Sequence, residues 1–175
     1  MKTVNKRSLQ GILILTMFNQ AGAHDGTVRI SGTIQDNTCE ISPDSNHKIV
    51  DMGTVASNQF TSVGDKTPAV AFSIDMEECG PAASEASVTF SGTVAPENNT
   101  LYRLDEDDNT ASGLALGIYD SRNQQVIPNV ASGGYDLLPN QSAVVMKFTA
   151  RYEAVAATVT EGLARATITF VVNYQ

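Results

Sequence analysis

Residues 166–175 read Ala166-Thr167-Ile168-Thr169-Phe170-Val171-Val172-Asn173-Tyr174-Gln175, and they alternate at period two, with Ala166, Ile168, Phe170, Val172 and Tyr174 on one face. That pattern predicts a half-covered β-strand. No turn and no further strand follows it in the sequence, so its outer edge is expected to lack a neighbour from its own fold. At the other end, Gly26, Val28, Ile30, Gly32 and Ile34 share one face of a second alternating strand, with Thr27, Arg29, Ser31, Thr33 and Gln35 opposite. A strand with an apolar face and a missing neighbour is a template for pairing with another chain. The first strand of one copy has the pattern needed to fill the gap beside the last strand of another.

Between these ends the chain reads as β throughout. After the cysteine-bearing strand comes Ile49-Val50-Asp51-Met52-Gly53, and Val70, Phe72, Ile74 and Met76 share one face of the next strand. Val88, Phe90, Gly92 and Val94 follow, then Leu114, Leu116 and Ile118, then Val144, Met146, Phe148, Ala150 and Tyr152. Turn chemistry separates them at Pro43-Asp44, Gly64-Asp65, Ala95-Pro96-Glu97-Asn98-Asn99, Gly133-Gly134 and Pro139-Asn140. About seven short strands at this spacing, without a long helical period, predict an all-β sandwich of the immunoglobulin type. Trp is absent, so the buried tryptophan of antibody domains has no counterpart.

The first 23 residues read as a cleavable leader. Lys2, Lys6 and Arg7 precede a short apolar core from Leu9 to Phe18, and Ala21-Gly22-Ala23 supplies the small residues expected before a cut at His24. The apolar core is shorter than the roughly 20 residues a membrane span requires. Cleavage removes three cations and no acid from a chain whose net charge is already −8. So acidic a surface repels phosphate backbones and disfavours nucleic-acid binding. Cys39 and Cys79 remain in an exported chain, where a single disulfide is the expected pairing, contributing roughly 4 kcal/mol by loop closure. A metal site would need more ligands than His24 and His47 provide, and no CxxC or HxxxH spacing is present.

Catalytic and cofactor chemistry finds little support. Asp105-Glu106-Asp107-Asp108-Asn109 opens like a calcium loop, but Thr110 stands where glycine is needed and Leu116 where a bidentate glutamate is needed. A solvated acidic loop is the reading that remains. Ser121, Ser132 and Ser142 lack a GxSxG setting, and only His47 is placed to serve as a base. No enzyme, no cofactor and no small-molecule substrate is expected.

Several stretches together carry a family resemblance. They are Val28-Arg29-Ile30-Ser31-Gly32-Thr33-Ile34 ahead of Asp36-Asn37-Thr38-Cys39, Thr67-Pro68 before the strand into Cys79-Gly80, Phe90-Ser91-Gly92, and Gly113-Leu114-Ala115-Leu116-Gly117-Ile118. Gly162 lies fourteenth from the end and Tyr174 is penultimate, the two positions of a β-zipper signature. The chain resembles the pilins of the chaperone–usher pathway, most closely the minor tip-fibrillum (adaptor) subunits of type 1 fimbriae. The alternation before Cys39 is shorter than in the major rod subunits, which favours a minor one.

The resemblance implies an incomplete immunoglobulin-like sandwich lacking its final strand, with an N-terminal donor-strand extension over residues 24–37 and a pilin domain over 38–175. Gly162, Ile168, Phe170, Val172, Tyr174 and Gln175 would form the groove strand that a periplasmic chaperone, and then a neighbouring subunit at the outer-membrane usher, completes. Val28, Ile30, Gly32 and Ile34 would be the strand that is given. Covering Val28, Ile30 and Ile34 contributes roughly 5–9 kcal/mol, and Gly32 lets the donor backbone approach closely. The implied role is a structural subunit of a cell-surface fimbrium of a Gram-negative bacterium, contributing to adhesion, with neighbouring pilus subunits (a tip adhesin among them) as partners. A small carbohydrate-binding adhesin of the same pathway is the alternative, disfavoured by the lack of a second domain and of Trp.

Overall fold

The computed structural model describes residues 31–32 and 38–175. Val28, Ile30 and Ile34 of the expected donor strand therefore lie outside the described residues. The chain divides into two units, residues 1–33 and 34–175. Of the first, Ser31 and Gly32 are described, and both are exposed.

The second unit holds ten strands among its described residues: β1 (Glu40–Ile41), β2 (Val70–Glu77), β3 (Glu85–Ser91), β4 (Val94–Ala95), β5 (Asn98–Arg103), β6 (Leu114–Asp120), β7 (Gln125–Val126), β8 (Tyr135–Asp136), β9 (Ala143–Ala154) and β10 (Thr169–Tyr174). They form two antiparallel sheets. The larger runs β1-β2-β9-β6-β5-β4, with β7 also on β6, and the smaller runs β10-β3-β8. This is the immunoglobulin-like sandwich the sequence predicts.

The period-two residues set the register. Phe72 stands opposite Phe148, Ile74 opposite Met146 and Met76 opposite Val144, so the apolar faces of β2 and β9 coincide. Phe90 of the smaller sheet meets them from the other side, its ring edge-on to Phe148 at 4.9 Å and to Phe72 at 6.0 Å. The core thus sits between the sheets around these three rings. Tyr102 is buried, and its hydroxyl donates to the Phe90 carbonyl at 3.0 Å, which satisfies the one polar atom the ring brings inside.

Cys39 and Cys79 are joined, both buried, with Cα atoms 3.9 Å apart. The bridge and the bond from the Gly80 amide to the Thr38 carbonyl (2.9 Å) fasten the start of the sandwich to the end of β2.

Three expectations need correction. The strand read through Val88, Phe90, Gly92 and Val94 ends at Ser91, and Val94, exposed, opens β4 in the other sheet. Residues 98–99 are not turn but the start of β5, whose Leu101 and Tyr102 are fully buried. Residues 49–53, read as a strand, belong to no ladder among the described residues. Their side chains still alternate: Ile49 is 90% exposed, Val50 and Met52 are half-buried, and Asp51 between them is exposed. The sequence pattern of a strand is present there without a neighbouring strand among the described residues.

Candidate functional site

Two rows of half-covered apolar side chains lie against the one core. The C-terminal row is Ala164, Ala166, Ile168, Phe170, Val172 and Tyr174, and the other is Val50, Met52, Val55 and Phe60. The contrast with β9 is sharp. Every inward residue of β9 from Val144 to Tyr152 is at most 7% exposed, whereas no residue from Ala164 to Gln175 is fully buried. The predicted face of the last strand is thus the right one, and it is only half sheathed.

β10 sits at the border of the smaller sheet and pairs with β3 alone among the described residues, from Thr169 opposite Ser91 to Tyr174 opposite Ala86. A strand at the border of a sheet, with apolar pockets beside it, is what an added strand requires.

The far end of β10 is tied down by its own fold. The Tyr174 hydroxyl donates to the Cys39 carbonyl at 3.0 Å. The Gln175 carbonyl accepts from the Ser84 hydroxyl at 2.6 Å and from the Ser84 and Glu85 amides at 3.1 and 3.2 Å.

The near end has a different support. The Leu163 amide donates to Asn109 (2.6 Å), the Ala111 amide to Leu163 (2.9 Å) and the Asp105 amide to Arg165 (2.7 Å). The Asp105 carboxylate accepts from the Thr167 amide at 3.1 Å and from its hydroxyl at 2.8 Å. Gly162 is wedged here with φ +156°, and a Cβ on it would lie 2.5 Å from both the Ala111 nitrogen and the Asn109 oxygen. Glycine is required by this close approach of two backbones. From beneath, the Tyr152 hydroxyl donates to the Ala164 carbonyl at 2.5 Å. Burial, and secondarily the charge of Asp51, pushes the Tyr152 phenol above its ordinary pKa.

The acidic loop is therefore more than a solvated turn. Asp105, Asn109 and Ala111 hold the approach to β10, and neither Asp105 nor Tyr152 stands out in the sequence as a partner of this strand. Among the described residues no cluster of three or more His, Cys, Asp or Glu side chains is placed to hold a metal. Gly32, the one described residue of the expected donor face, is exposed, and a Cβ on it would meet nothing within 4 Å. Its own surroundings do not require glycine.

Comparison with known proteins gives one answer. The model of the family described as fimbrial protein matches residues 28–175. The probable major fimbrial subunit LpfA of Escherichia coli O157:H7 is 36% identical over 89% of this chain and 86% of that protein. The fimbrial-like protein FimF of Salmonella typhimurium is 37% identical over 94% of each. The crystal structure of an antigen and type I fimbria protein of Burkholderia pseudomallei has a TM-score of 0.60 at 32% identity, covering 79% of this chain and 90% of that one. This chain belongs to the fimbrial protein family and is a structural subunit of a pilus.

Proposed function

We propose that β10 accepts a strand from a second molecule along the edge away from β3, and that residues 24–37 are the strand this subunit gives in turn. One observation carries the reading: the inward face of the last strand is half covered, while that of β9, in the same core, is closed. Val28, Ile30 and Ile34 have the alternation and size to complete that cover. Gly32 would lie where the donor backbone passes closest to the acceptor. On the acceptor side, Ile168, Phe170, Val172 and Tyr174 supply the pockets, Gln175 the anchored end and Gly162 the tight approach.

The rest of the assembly follows from the same chemistry. An uncovered apolar face cannot wait exposed, so a periplasmic chaperone lends a strand first and the next subunit replaces it at an outer-membrane usher. Residues 1–23 direct export and are removed. The mature subunit becomes part of a fimbrium on a Gram-negative cell surface, where the fibre contributes to adhesion. Relatives named as major subunit and as fimbrial-like protein match at 36% and 37% identity, so similarity does not separate rod from tip.

Expression of the mature domain with and without a peptide copying residues 26–35 tests the reading. Alone, the domain is expected to aggregate or polymerise, and with the peptide to remain a soluble monomer. A stable monomer without any added strand would refute it.

A further inference from the structure

The strand proposed to be given is longer than the strand proposed to receive it. Residues 26–35 span about 33 Å when extended, whereas β10, from Thr169 to Tyr174, spans about 20 Å. The side-chain alternation, however, continues back to Ala164, and an extended chain from Ala164 to Tyr174 spans about 36 Å. The receiving edge therefore matches the donor only if residues 164–168 prolong β10 as one rail.

The rail rests on two different supports. From Thr169 onward β3 holds it, and from Leu163 to Thr167 the loop of residues 105–111 holds it. Asp105 stands at the joint: its amide donates to Arg165, and its carboxylate takes both the amide and the hydroxyl of Thr167, two residues before the β3 ladder begins. The loop is braced to present it, since the Thr110 hydroxyl donates to the Asp105 carbonyl at 2.9 Å and accepts from the Asp107 amide at 2.8 Å.

Resting on the donor-strand reading above, we infer that Asp105 is a positioning residue that keeps residues 163–168 in line with β10, and so sets how long a partner strand the subunit can hold. Without its carboxylate the Thr167 amide loses its partner and the rail hinges where its support changes. A partner strand then keeps the β10 half of its contacts and loses the other half.

The experiment refolds the full chain in the presence of each of three labelled peptide probes copying its residues 26–35, 26–32 and 29–35, so that no uncomplemented chain accumulates, and follows binding by fluorescence anisotropy. Asp105→Ala is expected to weaken the 26–35 peptide about tenfold, the effect of losing charge-assisted hydrogen bonds. One of the two shorter peptides, the one lying mainly on β10, is expected to bind unchanged. Asp105→Asn still offers an oxygen to the Thr167 amide and is expected to restore most of the loss. Thr167→Val, which loses only the hydroxyl bond, is expected to give the same peptide pattern more weakly, and it decides the matter if Asp105→Ala fails to fold. Equal binding of the long peptide to wild type and Asp105→Ala would overturn the inference, as would equal weakening of all three peptides. If wild type binds none of the peptides, the donor-strand reading falls, and this inference falls with it.

Discussion

The hydroxyl of Tyr174 donates to the main-chain carbonyl of Cys39, 3.0 Å away, so the last strand is fastened to a residue of the disulfide. Tyr174→Phe removes that bond together with the hydroxyl's weaker contact to the Met76 sulfur at 3.5 Å, and is expected to cost about 1 kcal/mol in urea unfolding of the strand-complemented domain. In a Cys39→Ser/Cys79→Ser background the same change is expected to cost less, because the carbonyl it reaches is no longer held in place. Strict additivity would show that the bridge and the strand end are independent.

Gly162 gives a second test. With backbone atoms 2.5 Å from where a Cβ would sit, Gly162→Ala forces the two backbones apart rather than a side chain aside. A loss of about 2–4 kcal/mol is expected from the same unfolding measurement. A change within error would mean the approach is looser than described.

Phe148 and Phe170 compare a closed face with an open one. Phe148 is 1% exposed and Phe170 half-buried. Phe148→Ala is expected to cost about 3–5 kcal/mol whether or not a partner strand is bound. Phe170→Ala is expected to cost markedly less in the free domain and to approach that range once the strand-bearing peptide is present, as thermal unfolding with and without peptide would show.

Alkaline pH probes the interior hydroxyls. Burial raises the phenols of Tyr102, Tyr119 and Tyr152 above their usual 10.0, and the Tyr119 hydroxyl also raises Lys66 above 10.5 as the two bond at 2.7 Å. Tyr119 in turn donates to Glu153, which pairs with Lys66 at 3.2 Å. A group whose folded pKa is raised stabilises fully below its unfolded value, and that stability is lost as pH rises through the folded one. Stability is therefore expected to hold up to about pH 10 and to fall above it, with Tyr102→Phe removing part of the fall. Denaturant titrations from neutral to strongly alkaline pH check this.

The sequence made the sandwich legible where two sides of a strand met different surroundings. β2, β9 and the face of β10 each alternate because one side meets the core and the other solvent. β5 escaped because Asn98 and Asn99 carry turn chemistry, while its buried Leu101 and Tyr102 are adjacent rather than alternating. Residues 49–53 misled in the opposite sense: the alternation is real, but alternation reports a half-covered surface and not a ladder. Asp105 could not be recognised at all, because its partner Thr167 lies far along the chain and an acidic run reads as solvated.

Whether the N-terminal strand serves its own domain or another is decided by comparing Ile30→Asp with Tyr174→Ser. Each variant is assayed for thermal stability when complemented by a wild-type 26–35 peptide, and for its ability to donate its own N-terminal strand to a wild-type acceptor. Donor-strand assembly requires Ile30→Asp to keep wild-type stability as an acceptor and to fail as a donor, since a charge in an apolar pocket costs several kcal/mol. It requires Tyr174→Ser to fail as an acceptor with its donor strand intact. If Ile30→Asp destabilises the complemented domain as much as Tyr174→Ser does, the N-terminal strand belongs to the domain's own core and the assembly proposed here is wrong.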